Sequence, residues 1–135
     1  MADWNSTQYL KFERERTQPA IDLVNRIGIE NPKKILDVGC GPGNSTAVLA
    51  KRFPGAFILG IDNSENMISA ARKSYPALDF RLCDAGRDLS SLDHDFGIVF
   101  SNACIQWVPD HKKLIRELMG LLRKGGVLAV QVPMN

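Results

Sequence analysis

The chain has few of the residues on which many kinds of site chemistry depend. Its 135 residues include three cysteines, Cys40, Cys83 and Cys104, and two histidines, His94 and His111. No C-x-x-C pair occurs, and this spacing argues against a structural zinc site; no metal is expected. An odd number of unpaired thiols suits a reducing compartment. Met1-Ala2-Asp3-Trp4-Asn5 lacks the basic and apolar regions of a secretory leader, so the expected location is cytoplasmic. No apolar run approaches the ~20 residues needed to cross a bilayer. The net charge is only +2, and no basic run is longer than Lys33-Lys34 or Lys112-Lys113. Neither nucleic acid nor an anionic membrane is therefore an expected partner. Both lysine pairs read as solvated surface charge. No Ser/His/Asp or Cys/His arrangement for nucleophilic catalysis is evident. His94 falls in a solvent loop from Ser90 to Asp95 and His111 begins a helix, so no catalytic residue is assigned. Repeats, linkers and low-complexity segments are absent.

The most informative stretch is Ile35 to Thr46, I-L-D-V-G-C-G-P-G-N-S-T. An apolar run containing Asp37 leads to glycines at alternate positions, Gly39, Gly41 and Gly43, and then to helix-starting polar residues. A buried strand, a tight glycine turn and a helix start form a cradle in which a ligand can lie against bare backbone. The open N–H groups at the helix start favour a carboxylate or phosphate. A glycine-rich turn with no ligand is the plain alternative.

The rest of the pattern alternates strand and helix. Strands are predicted at Ile35–Val38, Phe57–Ile61, Asp79–Cys83, Phe96–Ser101 and Val127–Val132. Helices are predicted at Ser45–Phe53, after a Ser64 cap through Ser74 with Met67, Ile68 and Ala71 inward, and at His111–Arg123. The last carries Leu114, Ile115, Leu118 and Leu122 at helical spacing and is stopped by Gly125-Gly126. This alternation implies right-handed crossovers and a parallel sheet covered on both faces. At 135 residues the chain is one domain. Its expected parts are an N-terminal helical segment, 1–32, and an α/β core, 33–135. In the first segment Ser6 or Thr7 caps a short helix with Tyr9, Leu10, Phe12 and Arg16. Thr17 then caps a core helix with Ala20, Leu23, Val24 and Ile27. The aromatic surface of Trp4, Tyr9 and Phe12 either packs on the sheet or covers a ligand.

Ligands in such sheets bind beyond the carboxyl ends of the strands. Asp62 ends the second strand, 19 positions after Gly43, where a carboxylate can accept both hydroxyls of a ribose. The alternative is an acid that caps the helix ahead of Ser64. Asp84, followed by Ala85, ends the third strand and can accept an exocyclic amine such as that of adenine. The alternative is a turn-forming aspartate. Met67 can pack on an adenine face or fill the core. Asn63 adjoins Asp62. After the fourth strand come Asn102, Gln106 and Trp107, polar groups and an indole placed to face a transferred group. For Trp107 a packing role has the better claim.

The G-x-G-x-G spacing, with Asp37 two residues ahead of the first glycine, resembles motif I of the class I S-adenosylmethionine (AdoMet) methyltransferases. Narrower signals are D-W-N at Asp3–Asn5, the pattern Y-L-x-F-x-x-E-R-x-x-P-A at Tyr9–Ala20 and G-I-D at Gly60–Asp62. N-A-x-x-Q-W-x-P-D-H at Asn102–His111 and G-V-L-A-V-Q-V-P at Gly126–Pro133 complete them. Together they are similar to the branch that methylates a carboxylate of small polycarboxylic acids such as trans-aconitate. The resemblance implies a Rossmann-like class I methyltransferase core: α/β, five mainly parallel strands, helices on both faces, and an N-terminal helical segment acting as a lid. It implies AdoMet as cofactor and S-adenosyl-L-homocysteine as product. The methionine carboxylate would lie near the glycine loop and Arg16, ribose on Asp62, and adenine near Asp84-Ala85. Trp4, Tyr9, Phe12, Gln106 and Trp107 would enclose the acceptor side. The partner implied is a small-molecule carboxylate acceptor.

Relatives of this kind continue well past the fifth strand and build much of the acceptor pocket there. The expectation is therefore a fragment that keeps cofactor binding with weak or absent turnover. Its fifth-strand edge is expected to pair with a second copy. A methyltransferase for another small acceptor, a nucleotide-binding oxidoreductase domain and a non-catalytic binding module are the competing readings.

Overall fold

The structure, a computed structural model, describes residues 17–102 and 109–132. Helix α1 covers residues 17–24. There follow β1 (Lys34–Val38), α2 (Asn44–Arg52), β2 (Phe57–Asp62), α3 (Glu65–Ser74) and β3 (Asp79–Leu82). A 3-10 turn at Leu89–Ser91, β4 (Phe96–Asn102), α4 (His111–Gly120) and β5 (Leu122–Gln131) complete the chain order. The five strands form one sheet in the order β3-β2-β1-β4-β5, and every pairing is parallel. Strand order reverses between β1 and β4, so their carboxyl tips flank the crevice where such sheets hold ligands.

The strands lack clean polar alternation because both faces are covered. On one face Ala20, Val24 and Ile27 pack with Leu49 and Phe53 of α2 against Ile35, Ile58, Ile98 and Phe100. Phe80 joins Ile68 and Ala71 of α3 on a neighbouring cluster with Cys40. On the opposite face Leu114 and Leu118 of α4 meet Leu36, Val38, Ile61, Phe96 and Val99. Burying each large aliphatic side chain stabilises by about 1.5–3 kcal/mol.

Four readings need correction. First, the predicted helix His111–Arg123 ends at Gly120, and Gly125-Gly126 lie inside β5. The Leu121 carbonyl accepts the Phe96 N–H at 3.0 Å, and Leu122 pairs with Phe96. Leu122 fits the helical stripe from Leu118 and a strand equally well, and the vacant edge of β4 decides. Two steps along β4, from Phe96 to Ile98, then answer five along β5, from Leu122 to Val127. The excess forms a bulge with Gly125 at φ 81°. Second, Met67 is not on the inner face of α3; it is 38% exposed, and Ile68 and Ala71 are the buried residues. Third, Lys34 is more than solvated charge. Its Nζ donates to the His94 carbonyl at 2.8 Å, lies 3.7 Å from the Asp93 carboxylate and stands 4.9 Å over the Phe96 ring. Fourth, Ile27 lies beyond α1, in the turn where its N–H reaches the Val24 carbonyl.

No helix among the described residues is long and apolar enough to cross a membrane.

Candidate functional site

Asp37 lies in the central strand with no exposed surface. Its Oδ2 accepts the Ser45 hydroxyl at 2.6 Å and the Thr46 hydroxyl at 2.7 Å. A buried carboxylate is tolerated only where donors surround it. Asp37 thus braces the first turn of α2 from beneath and lies behind the ligand face.

The loop above it satisfies its own backbone almost completely. The N–H groups of Gly39 and Cys40 both donate to the Ile61 carbonyl, at 2.8 and 2.9 Å. The Gly41 N–H donates to Asp62 Oδ2 at 3.0 Å, Pro42 has no N–H, and the Gly43 N–H reaches the Cys40 carbonyl at 3.1 Å. Gly39, Gly41 and Gly43 all have positive φ. At Gly43, where φ is 98°, a Cβ would stand 2.8 Å from the Tyr75 ring, so glycine is required for both conformation and space.

Donors become available where the loop enters α2. Gly43 is its N-cap, and among the described residues no side chain caps this helix. By contrast, Ser64 caps α3 through the Met67 N–H, and Asp110 caps α4 through the Lys113 N–H. Three polar side chains occupy the first turn of α2, yet each is directed elsewhere. Ser45 and Thr46 donate to Asp37, and the Asn44 amide donates to Thr17 Oγ1 at 3.2 Å. The helix start therefore presents its backbone N–H groups and the positive end of its dipole to an anion.

Asp62, at the tip of β2, bounds the same loop. Its Oδ1 accepts the Ser64 N–H at 2.9 Å while Oδ2 holds Gly41. A carboxylate has about four acceptor positions, so two remain for hydroxyl donors. The helix cap that the sequence offered to Asp62 falls to Ser64, whose hydroxyl accepts the Met67 N–H, while Asp62 takes the Ser64 N–H just ahead of it. Asn63 beside it is exposed.

One strand further out, Asp84 shapes its own turn. Its Oδ1 accepts the Gly86 N–H at 2.9 Å, and its N–H donates to Asp88 Oδ2 at 3.3 Å. Ala85 packs on the α4-side core. The adjacent Cys83 is buried. Burial pushes its thiol pKa up, Asp88 and Asp84 push the same way, and Arg81 opposes them.

Ser101 donates to the Val38 carbonyl at 3.1 Å, joining β4 to β1 at the crevice. Asn102 follows it as the buried last residue of β4. The structure thus brings Gly39, Gly41, Gly43 and Asp62 together, with Asp37 as a support below. Trp4, Tyr9, Phe12, Arg16, Gln106 and Trp107 lie outside the described residues. Among the described residues no group of three or more His, Cys, Asp or Glu side chains is placed to hold a metal.

Sequence reasoning read Thr17 only as a helix cap, whereas it lies within α1; it gave Asn44, Ser45 and Thr46 no role at the site, and it used Gly60 only as part of a motif. A Cβ at Gly60 would stand 2.9 Å from both Phe80 Cδ1 and Thr46 Oγ1. The signal available was a glycine in the middle of an apolar strand, which marks a close approach. Leu82 was also missed; it is 46% exposed at the tip of β3, in register with Asp62.

An open parallel sheet, a glycine loop at its order reversal and a helix start without a side-chain cap form a Rossmann-like fold with a place for an anionic group at its crevice. The chain belongs to the methyltransferase-domain family, whose model matches residues 35–126. It is 49% identical over its whole length to a trans-aconitate 2-methyltransferase of Methylobacterium radiotolerans, of which it covers 51%. It is 47% identical over its whole length to a protein of that name from Rhodopseudomonas palustris, of which it covers 52%. The chain therefore spans about half the length of the curated relatives it matches. Among solved structures, it superposes on phosphoethanolamine N-methyltransferase 2 of Haemonchus contortus, solved in complex with S-adenosyl-L-methionine, with a TM-score of 0.75. That match has 26% identity and covers 85% of this chain and 28% of the other.

Proposed function

We propose that this chain is the cofactor-binding part of an AdoMet-dependent methyltransferase whose acceptor is a carboxylate of a small polycarboxylic acid, trans-aconitate or a close analogue. The observation that carries the reading is the uncapped start of α2, set beside the Asp62 carboxylate through the Gly41 N–H. An amino-acid carboxylate suits the first site, and ribose hydroxyls suit the second. The relatives' names support the acceptor class, and the bound ligand of the Haemonchus contortus protein supports the cofactor.

In this reading Gly39, Gly41 and Gly43 form the cradle, Asp37 supports it, and Asp62 with Asn63 takes the ribose. Met67, Asp84 and Ala85 border adenine, Met67 by its exposed thioether. Asn102 lies by the transferred methyl. Arg16 on the methionine end, and Trp4, Tyr9, Phe12, Gln106 and Trp107 around the acceptor, are assigned from the resemblance alone. Residues 1–32 act as cover and first core helix, and residues from 33 onward as the binding core.

AdoMet brings a sulfonium-activated methyl group with a neutral thioether as leaving group. The acceptor carboxylate is already ionised at neutral pH, so the chain need not remove a proton. Its contribution is alignment of donor and acceptor and exclusion of water. No side chain is assigned as a general base.

Two finer readings accompany this one. Buried Cys40 and Cys83, neither in a disulfide, suit a reducing cytoplasm. Among the described residues β5 is an edge strand of the sheet, and it is proposed to pair with a second copy. A single monomeric species by light scattering across the accessible concentration range would refute that pairing.

Calorimetry with AdoMet and S-adenosyl-L-homocysteine, with NAD as control, tests the central reading. Saturable binding of the first two without NAD binding is expected, alongside a methyl-transfer assay on trans-aconitate. Absence of AdoMet binding at millimolar concentration, or preference for NAD, overturns it.

A further inference from the structure

We infer that Thr17 is a positioning residue for the anion-accepting start of α2, acting through Asn44; the inference rests on the proposed AdoMet site. Asn44 is the first residue of α2 and is buried. Short amide side chains at helix starts compete for local backbone donors, because their oxygen can fold back onto the first turn. Here the Asn44 amide nitrogen is held 3.2 Å from Thr17 Oγ1, 27 positions away in sequence. That bond joins α1 to α2 at their polar ends, while Ala20 and Val24 join α1 to the α2-side core through apolar contacts.

The three polar side chains of this turn then form a consistent set. Ser45 and Thr46 are occupied by Asp37 below, and Asn44 is occupied by Thr17 at the side. Thr17 thereby keeps the amide of Asn44 off the donors that a bound carboxylate needs. Removing the Thr17 oxygen releases Asn44 to cap its own helix and to compete with the ligand anion. The effect is confined to the anionic end, because Asp62 on the nucleoside side is held by other groups, the Gly41 and Ser64 N–H donors.

The test compares two ligands on the whole chain by calorimetry: AdoMet, which carries the amino-acid carboxylate, and 5′-methylthioadenosine, which lacks it. Thr17→Val preserves shape and removes the acceptor; it is expected to weaken AdoMet about 3- to 10-fold, the range of one lost hydrogen bond. 5′-Methylthioadenosine should change less than about twofold on the same scale. Thr17→Ser should restore AdoMet binding. Should Thr17→Val fail to fold, Thr17→Ala carries the same comparison, because it removes the same acceptor, leaves Asn44 in place and suits a helix. Equal loss for both ligands, or no loss for AdoMet, overturns the inference while leaving the proposed function standing. If the unmodified chain binds neither ligand, the proposed function falls, and the inference with it.

Discussion

Asp62 Oδ2 accepts the Gly41 N–H at 3.0 Å, tying the tip of β2 to the middle of the glycine loop. The carboxylate proposed for ribose therefore also shapes the cradle, and its removal acts twice. Asp62→Ala is expected to weaken AdoMet by about tenfold or more, through lost charge-assisted hydroxyl contacts and a loosened loop. Asp62→Asn keeps an acceptor for Gly41 and should lose less. Titration calorimetry decides; an Asp62→Ala chain that binds within twofold of the parent, on the ~0.4 kcal/mol scale this implies, removes Asp62 from the site.

The Asp37 brace predicts a stability effect separate from ligand binding. Asp37→Ala leaves the Ser45 and Thr46 hydroxyls buried without their acceptor, at a cost of about 2–4 kcal/mol. Thr46→Val removes one donor and should cost about 1–2 kcal/mol. Urea unfolding midpoints measure both. Equal stability of Asp37→Ala and parent would show that the two hydroxyls find other partners.

Gly60 is fixed by crowding rather than by dihedral angle. Gly60→Ala puts a methyl group 2.9 Å from Phe80 and Thr46 and 3.0 Å from Cys40 Cβ. Overpacking of this kind costs about 1–3 kcal/mol. Phe80→Leu in the same chain should recover part of the loss, and thermal melts of the single and double variants show whether the two sites are coupled.

At Lys34, magnitudes separate three contacts. Asp93 is 84% exposed, so Asp93→Asn should change stability by no more than about 0.5 kcal/mol. Lys34→Ala also loses the charged bond to the His94 carbonyl and the contact with the Phe96 ring. A loss of about 1–2 kcal/mol follows. Equal effects of the two substitutions in denaturant melts would contradict this ranking.

Cys83 gives a pH dependence of definite sign. Its folded pKa is raised from 9.0, by burial first and by Asp88 next. The unfolded chain gives up this proton first as pH rises. The contribution to stability is therefore complete below the unfolded value and is lost as pH climbs through the folded one. The unfolding free energy of the parent should fall, as pH rises through 9.0 and above, more steeply than that of Cys83→Ala. Parallel curves for the two chains would reject the shift.

What was legible in the sequence follows from how local each cause is. The β1–loop–α2 unit could be read because Asp37, three spaced glycines and a polar helix start lie together within Ile35–Thr46. Parallel strands could be read because both-face burial leaves unbroken apolar runs such as Phe57–Ile61. Two assignments failed where a distant partner decides. Leu122 suited a helix until the edge of β4 claimed it. Met67 shared a helical stripe with Ile68 and Ala71, yet the covered arc of α3 is too narrow to include it. Asn44 could not be assigned because Thr17 lies 27 positions away, and Lys34 could not because its carbonyl partner is 60 positions off. No periodicity reports such pairs.

The bulge in β5 lies near Phe96, at the foot of the sheet, whereas Gly39, Asp62 and Ser101 crown the other end. Mismatch in strand length is thus absorbed far from the crevice, and β5 regains step with β4 from Val127 onward. Extra residues grafted beside Gly125 would swell a surface knuckle and leave the cradle's dimensions as they are.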